Sequence, residues 1–552
     1  IVQELNTNIL VEASAGSGKT SSLIQRMTAL IKSGKFKVDE VAAITFTRKA
    51  AIELKERFQK KIEESFRETE NQKEKAYLRE ALSNIEHCYL GTIHSFCARL
   101  LRERPIEAGL DPEFAELDDL DDILLKEEAW KRYLLNLKIE ESPSLLHLEE
   151  LGIKPSELTD CYKTLCAYPE VNPSFPVLAK PDIKKAIKEI ISFSDEASPY
   201  IPEEEPKMGY DQLQEAVLSV KRMKGFYDYM REDFNQIKLL ENFAGDFSPK
   251  SNHITLNRWT SKEKAKEYRD SLVLELQEKV INPTLQQWRE YCYADTIKFL
   301  LPAVEYYHQL RQKISMLNFQ DLLLKTSQLL REHPEVRQYF QQKYKCLLVD
   351  EFQDTDPIQA EIIFYLTGSD FKEKNWTKLI PHPGSLFVVG DPQQSIYRFR
   401  RADIAIYNRV RELIERSGGK VLKLQANFRS LHSIGSYLNP LFEELFSGGQ
   451  EKFQAVYSPM QTIREDDPNH YLSGVRQLII SKESNKNDTI RQDAQLIARV
   501  IRLMVDKGFQ LGRTEEEIKA GTSLQATYKD FMILLRYKGG MDIYARTLAE
   551  QG

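Results

Sequence analysis

Ile9-Leu10-Val11 leads through Glu12, Ala13, Ser14, Ala15, Gly16 and Ser17 into Gly18-Lys19-Thr20. In this 552-residue chain it is the first stretch whose residue types could do chemistry. The apolar triplet reads as a buried strand. The small residues from Ala13 to Gly18 let backbone N–H groups approach a triphosphate. Lys19 can reach the terminal phosphates, and the Thr20 hydroxyl can ligate Mg²⁺. Ala13 stands where such loops commonly begin with glycine. Leu23, Met27, Leu30 and Ile31 follow at helical spacing, so the loop opens a helix. A second stretch, Leu347-Leu348-Val349-Asp350-Glu351, is a strand ending in adjacent carboxylates. Beside a phosphate loop, Asp350 would enter the Mg²⁺ shell while Glu351 orients and deprotonates an attacking water. Acidic residues often do no more than end a strand, and it is the loop that gives this pair its meaning.

The elements that must position these groups alternate between strand and helix. Val41–Phe46 reads as a buried strand, and a long charged helical stretch is expected from about Glu53 to Glu86. Tyr89-Leu90 then leads into GTIHSFCARLLRE, another strand-to-helix entry. Between Pro105 and Met316 helical patterns dominate, broken by the Pro-rich connectors Tyr168–Pro181 and Pro199–Pro206. Strand patterns return at Tyr344–Glu351, Ser385–Asp391 and Val421–Gln425, each delivering polar residues at its C-terminal end, where open α/β sheets bind ligands. A last strand and helix are expected at Asp530–Arg536 and Met541–Glu550. The predicted class is α/β, a parallel sheet with crossover helices and a large helical insertion.

Composition sets bounds on the rest. Hydrophobic residues at 41% and charged residues at 29% describe a globular chain of about three domains. Apolar runs are strand-sized, so no membrane span is expected. No basic-then-apolar leader opens the chain, and a cytoplasmic location is expected. Cys88, Cys97, Cys161, Cys166, Cys292 and Cys346 lack metal-site spacing and read as reduced thiols. The net charge of −6 argues against a uniformly basic nucleic-acid coat, but it is unevenly spread. Asp111–Asp160 holds 15 acidic and 5 basic residues, whereas Ser385–Ser430 holds 9 basic and 4 acidic. A local positive strip of this kind suits a polyanion groove.

ASAGSGKT, ITFTRKAA, GTIHSFCARLL, LLVDEFQDTDPIQ, VVGDPQQSIYRFRRADI and LQANFRS, in this order, resemble the motifs of superfamily 1 helicases of the UvrD/Rep type. The DEFQDTDP and GDPQQSIYRFR wordings are most similar to the RecB/AddA recombination branch. The resemblance covers roughly Asn8–Glu103 and Asn318–Ser430, more faintly Asp530–Gly552, and the Pro105–Met316 stretch only by position. It implies a RecA-like P-loop domain 1A (1–104 and 316–425), a helical insertion 1B (105–315) and part of a second RecA-like domain 2A (426–552). It also implies ATP and Mg²⁺ as ligands, held by Ala15, Gly16, Ser17, Gly18, Lys19 and Thr20. Arg26 would sit near the adenine, Phe428 would stack on it, Arg429 would touch the γ-phosphate and Gln394 would sense it. Gln353 would link hydrolysis to movement.

For single-stranded DNA, the resemblance points to Phe46, Tyr397 and Phe399 as flat faces for bases and to Thr47, Thr92, His94 and Arg400 as phosphate contacts. Stacking beside cationic groups is what sequence-independent strand tracking needs. Taken singly, Phe46 and Phe399 would be core aromatics and His94 an ordinary half-buried histidine. Phe399 replaces a tryptophan common in short repair helicases, and Arg48 and Gln393 depart from the commonest residues without an assigned role. The expected activity is that of an ATP-dependent DNA helicase motor, 3′ to 5′, acting on single strands and duplex ends in recombination or repair. A helicase/nuclease subunit is a candidate partner. The alternatives are an ATP-gated DNA-binding scaffold and an RNA-directed motor. The adenine-reading glutamine, the last motifs and any nuclease domain are expected to lie outside these residues, in a longer protein.

Overall fold

The computed structural model describes every residue except 224–231, 252, 447–453, 467–473, 482–484, 514 and 552. Strands β1 (Ile9–Ala13), β2 (Val41–Thr45), β3 (Tyr89–Thr92), β4 (Cys346–Val349), β5 (Leu386–Gly390) and β6 (Lys420–Leu424) form one six-stranded sheet. Their order is β3-β2-β4-β5-β1-β6. β2 runs parallel to β3 and to β4, and β4 parallel to β5. Every residue of β2, β4 and β5 is buried, so these strands read as near-continuous apolar runs, with Thr45 closing β2. Helix α1 (Lys19–Lys32) buries Leu23, Met27, Leu30 and Ile31, the face its spacing predicts.

The chain divides into two compact units. The first comprises Ile1–Leu10, Thr20–Gly390 and Ser395–Val421; the second comprises Val11–Lys19, Asp391–Gln394 and Leu422–Gly552. These lines differ from the expected domain boundaries. The helical insertion falls in the same unit as most of the sheet, and the phosphate loop is grouped with the C-terminal segment.

Within the first unit the insertion builds apolar clusters of its own. One gathers Trp130, Tyr133, Tyr162, Cys166, Phe299, Leu300 and Tyr307; another gathers Ile190, Val217, Leu240, Phe243, Val273 and Ile281. Its entry and exit are held together by two-residue strands, Ala115–Glu116 paired parallel with Met316–Leu317. Sequence alternation does not reveal such short strands. In the second unit, β7 (Ala426–Leu431) pairs parallel with β8 (Gln461–Arg464).

Two expected elements differ. The long helical stretch is present but is made of two helices, α2 (Arg48–Glu68) and α3 (Gln72–Ser83). Asn71 caps the second, its side chain accepting from the Lys73 N–H, and that local bond competes with continuation of the first. Asp530–Arg536 is not a strand. A turn at Tyr528–Asp530 is locked by Thr527 and by an Arg513–Asp530 ion pair of 2.6 Å. No strand among the described residues pairs with the apolar segment after that turn, and an unpaired segment has no ladder to join. The Met541–Glu550 helix is present. All six cysteines are free, with only Cys161 exposed. No described helix is long and apolar enough to cross a membrane.

Candidate functional site

In the second unit, the phosphate loop is shaped by left-handed glycines, Gly16 at φ 68° and Gly18 at φ 88°. The Ser14 N–H donates to the Leu424 carbonyl (3.1 Å), and the Gly16 carbonyl accepts the Phe428 N–H (3.0 Å). A Cβ added at Gly16 would stand 2.7 Å from the Arg429 Cβ and 3.0 Å from the Asn427 Oδ1. Loop and arginine-bearing strand therefore touch backbone to backbone, an approach that only glycine allows. Asn427, which has no role in the sequence reading, is fully buried and organises this contact. Its Oδ1 accepts the N–H groups of Arg429 (2.9 Å) and Ser430 (2.8 Å), so the strand bends where Arg429 leaves it. An asparagine able to close such a side-chain turn is the signal that could have found it. Phe428 beside it is 58% exposed, a ring free to lie on a base.

Asp391 governs the other short segment of this unit. Its carboxylate accepts from the Gln394 side chain (2.7 Å) and from the Gln393 N–H (3.1 Å). The Gln393 amide donates to the carbonyls of Val456 and Ser458, both at 3.3 Å, a structural contact for a residue without an assigned role.

In the first unit, Asp350 extends β4, its N–H donating to the Ile44 carbonyl at 2.8 Å. Glu351 then turns into the left-handed region, φ 50° and ψ 43°. Only a constraint from the surroundings keeps a non-glycine residue there. Part of that constraint is visible in Gln353, which is buried and donates its amide to Glu351 Oε2 (2.8 Å). The Gln353 carbonyl accepts from the Ser395 hydroxyl (3.1 Å), and a Cβ on Gly390 would come within 2.9 Å of Gln353 Oε1. Arg26 departs from its expected place. It is completely buried over the Phe387 ring, and its guanidinium donates to the carbonyls of Ile1, Glu4 and Thr7. Its side chain holds the N-terminal segment, and its two terminal nitrogens point to backbone oxygens rather than outward to a base.

A cavity of about 380 Å³ in this unit is lined by Asp350 and Glu351 together with Phe46, Thr47, His94, Phe319 and Arg400. An open recess beside it adds Thr92, Arg48 and Asp118. The carboxylates and most of the expected strand-contacting residues thus share one wall system, which Thr20 and Arg26 do not line. Phe46 packs on Tyr397 (centroids 4.8 Å apart), Tyr397 on Phe399 (5.7 Å), and Arg400 lies 5.6 and 5.9 Å from those last two rings. Phe399 is 74% exposed, so the core reading fails for it.

Thr47 and Thr92 are the N-caps of α2 and of α4 (Ile93–Glu103), accepting from the N–H groups of Ala50 and Ser95. Two helix N-termini therefore open beside this surface, and each favours an anion. His94 packs on Phe319 (5.2 Å), and burial pushes its pKa down to about 4, so it is neutral at pH 7 and offers a polar N–H rather than a charge. Phe319 itself was missed, because one aromatic at a helix start carries no local signal.

The model of the UvrD/REP helicase N-terminal domain matches residues 1–415. Among curated proteins, the chain is similar to the A subunit of an ATP-dependent helicase/nuclease from Listeria welshimeri, 24% identical over 598 residues, covering 97% of this chain and 46% of the relative. The protein of the same name from Listeria innocua is 26% identical over 603 residues with the same coverage. That from Staphylococcus haemolyticus is 26% identical over 593, covering 96% of this chain and 45% of the relative. The chain thus spans a little under half the length of these relatives.

Proposed function

The chain belongs to the family of the UvrD/REP helicase N-terminal domain, and from that premise we propose that it is the ATP-hydrolysing motor of a DNA helicase. It steps 3′ to 5′ on single strands and works at duplex ends in recombination or repair. The observation that supports this most is the seating of Gly16 against Asn427, Phe428 and Arg429, which leaves a phosphate cradle with an arginine at its edge. The motor comprises domain 1A (1–104 and 316–425), the helical insertion 1B (105–315) and part of a second domain 2A (426–552).

In this reading the N–H groups of Ala15 to Lys19 and the Lys19 ammonium hold the phosphates of ATP. Thr20 and Asp350 would hold Mg²⁺, since hydroxyl and carboxylate are the hard oxygen donors that ion takes. Among the described residues no cluster of three or more His, Cys, Asp or Glu competes as a metal site. Bound there, Mg²⁺ supplies positive charge against the phosphate oxygens. Glu351 orients water and takes its proton, and the Gln353 amide fixes the direction of that carboxylate. Arg429 offsets charge that builds in the transition state, and Gln394 senses the terminal phosphate from its Asp391 anchor. Phe428 stacks on the base.

On the strand side, bases lie on Phe46, Tyr397 and Phe399. Phosphates meet Arg400 and the capped helix starts at Thr47 and Thr92, with neutral His94 as an N–H donor. The relatives are named as one subunit of a helicase/nuclease, and a partner subunit is part of the proposal.

Two substitutions in the whole protein test it. Lys19→Ala should weaken ATP binding, whereas Glu351→Gln should keep binding and abolish hydrolysis, since it removes the base and leaves the cradle. Parent-rate hydrolysis by Glu351→Gln would sink the assignment of the base. A protein that binds ATP and DNA yet never moves along a 3′-tailed duplex, with its partner present, would be a scaffold. Stimulation by RNA in place of DNA would redirect the substrate.

A further inference from the structure

The turn that carries Tyr397, Phe399 and Arg400 ends in a residue whose backbone and side chain are both unusual. Arg401 sits in the left-handed region at φ 71° and ψ 7°, capping the short helical turn Arg398–Arg400. Glycine would take that conformation without strain, so an arginine persists there only if its side chain is held. It is held on three sides by the helical insertion. One guanidinium nitrogen donates to Glu170 Oε1 at 2.6 Å, another donates to the Ala167 carbonyl, and the guanidinium carbon lies 4.2 Å above the Tyr168 ring. Only 15% of the Arg401 side chain is exposed.

Ala167 is the last residue of a helix of the insertion, Thr159–Ala167, so the guanidinium occupies the negative end of a helix and satisfies one of its orphan carbonyls. That helix is anchored by Tyr162 and Cys166 in the insertion's own core beside Phe299 and Tyr307. On the other side, the turn is closed by N–H bonds from Arg400 (2.7 Å) and Ala402 (3.2 Å), both to the Tyr397 carbonyl. A planar fork that bonds two acceptors and stacks on a ring cannot be replaced by a lysine.

We propose that Arg401 is a positioning residue that clamps the strand-contacting turn to the helical insertion, so that the insertion sets where Tyr397, Phe399 and Arg400 stand relative to the strand. This rests on the DNA-motor reading. With the clamp removed, the turn keeps its internal bonds but loses its reference point, and strand engagement weakens while the hydrolytic groups stay in place.

The experiment uses the whole protein carrying Arg401→Gly, which relieves the backbone strain and deletes the clamp at once, alongside Arg401→Lys and Glu170→Gln. Hydrolysis is measured without DNA and against increasing single-stranded DNA, together with ATP consumed per nucleotide travelled. Arg401→Gly should raise the half-stimulating DNA concentration and the ATP consumed per nucleotide by about 2- to 30-fold, the range over which couplings through packed networks are tuned. Hydrolysis without DNA, the maximal rate at saturating DNA and the melting temperature should stay at the parent values. Glu170→Gln should shift the same readouts less, and Arg401→Lys should restore only part. Parent-like DNA dependence in Arg401→Gly overturns the clamp. So does a loss of DNA-independent hydrolysis or early melting, which would make the contact merely structural. If the parent itself shows no DNA-stimulated hydrolysis, the motor reading falls, and the clamp with it.

Discussion

Gly16→Ala should separate the shape of the phosphate loop from its chemistry. The backbone there is left-handed at φ 68°, which an L-residue adopts at a cost of about 1–2 kcal/mol, or about 5- to 30-fold in population. The new Cβ would also lie 2.7 Å from the Arg429 Cβ, whereas carbon atoms rest at about 3.5–4.0 Å. The start of β7 must then yield by about 1 Å, and misplacement of that size can lower a rate by about 10²-fold. Because Asn427 fixes Arg429 through two N–H bonds, the arginine moves with the strand. ATP affinity should therefore fall by the backbone part, about tenfold, while kcat falls by about 10²-fold or more. Gly418→Ala is the control. Its φ is 76° and nothing lies within 4 Å of an added Cβ, so it carries the backbone cost without the collision. Equilibrium nucleotide binding and DNA-stimulated hydrolysis of the two variants give the comparison. If Gly16→Ala turns over as fast as Gly418→Ala, the argument that the loop positions Arg429 is wrong.

Phe399→Ala should weaken single-stranded DNA binding by about 1–3 kcal/mol while leaving its salt dependence unchanged, since it removes stacking and no charge. Arg400→Ala should instead lower the slope of log affinity against log salt by about one phosphate's worth, measured by titration at several salt concentrations. Asp356 is buried at the N-cap of the helix Pro357–Thr367, and burial pushes its pKa from 3.8 up to about 6. The folded protein therefore binds this proton more readily than the unfolded chain, and the group's contribution to stability falls as pH rises from 3.8 to about 6. Asp356→Asn keeps the cap and removes the titration. Its stability relative to the parent should rise across that window by at most about 3 kcal/mol, read by denaturant unfolding, and a flat difference would contradict the raised pKa.

The strands, the phosphate loop and the carboxylate pair were legible in the amino-acid order because each is encoded within about ten consecutive residues. Val41–Thr45, Cys346–Val349 and Leu386–Gly390 are buried throughout and almost wholly apolar because both their faces are covered, and small residues before Lys19 mark a backbone that can approach a ligand. The order of those strands, the left-handed turn at Glu351 and its tether to Gln353 were not legible, since they arise from segments tens to hundreds of residues apart. The same holds for side-chain state. Arg26 looks like a ligand contact until its guanidinium is found spent on the carbonyls of Ile1, Glu4 and Thr7. His94 is expected as a phosphate contact, and only its burial shows that it would meet a phosphate as a neutral N–H donor. The apolar run after Asp530 looks like a strand, yet among the described residues no neighbouring strand pairs with it. Residue type and spacing determine which chemistry a chain can offer. Burial, pairing and the direction a side chain points depend on what packs against it, and only the tertiary structure decides them.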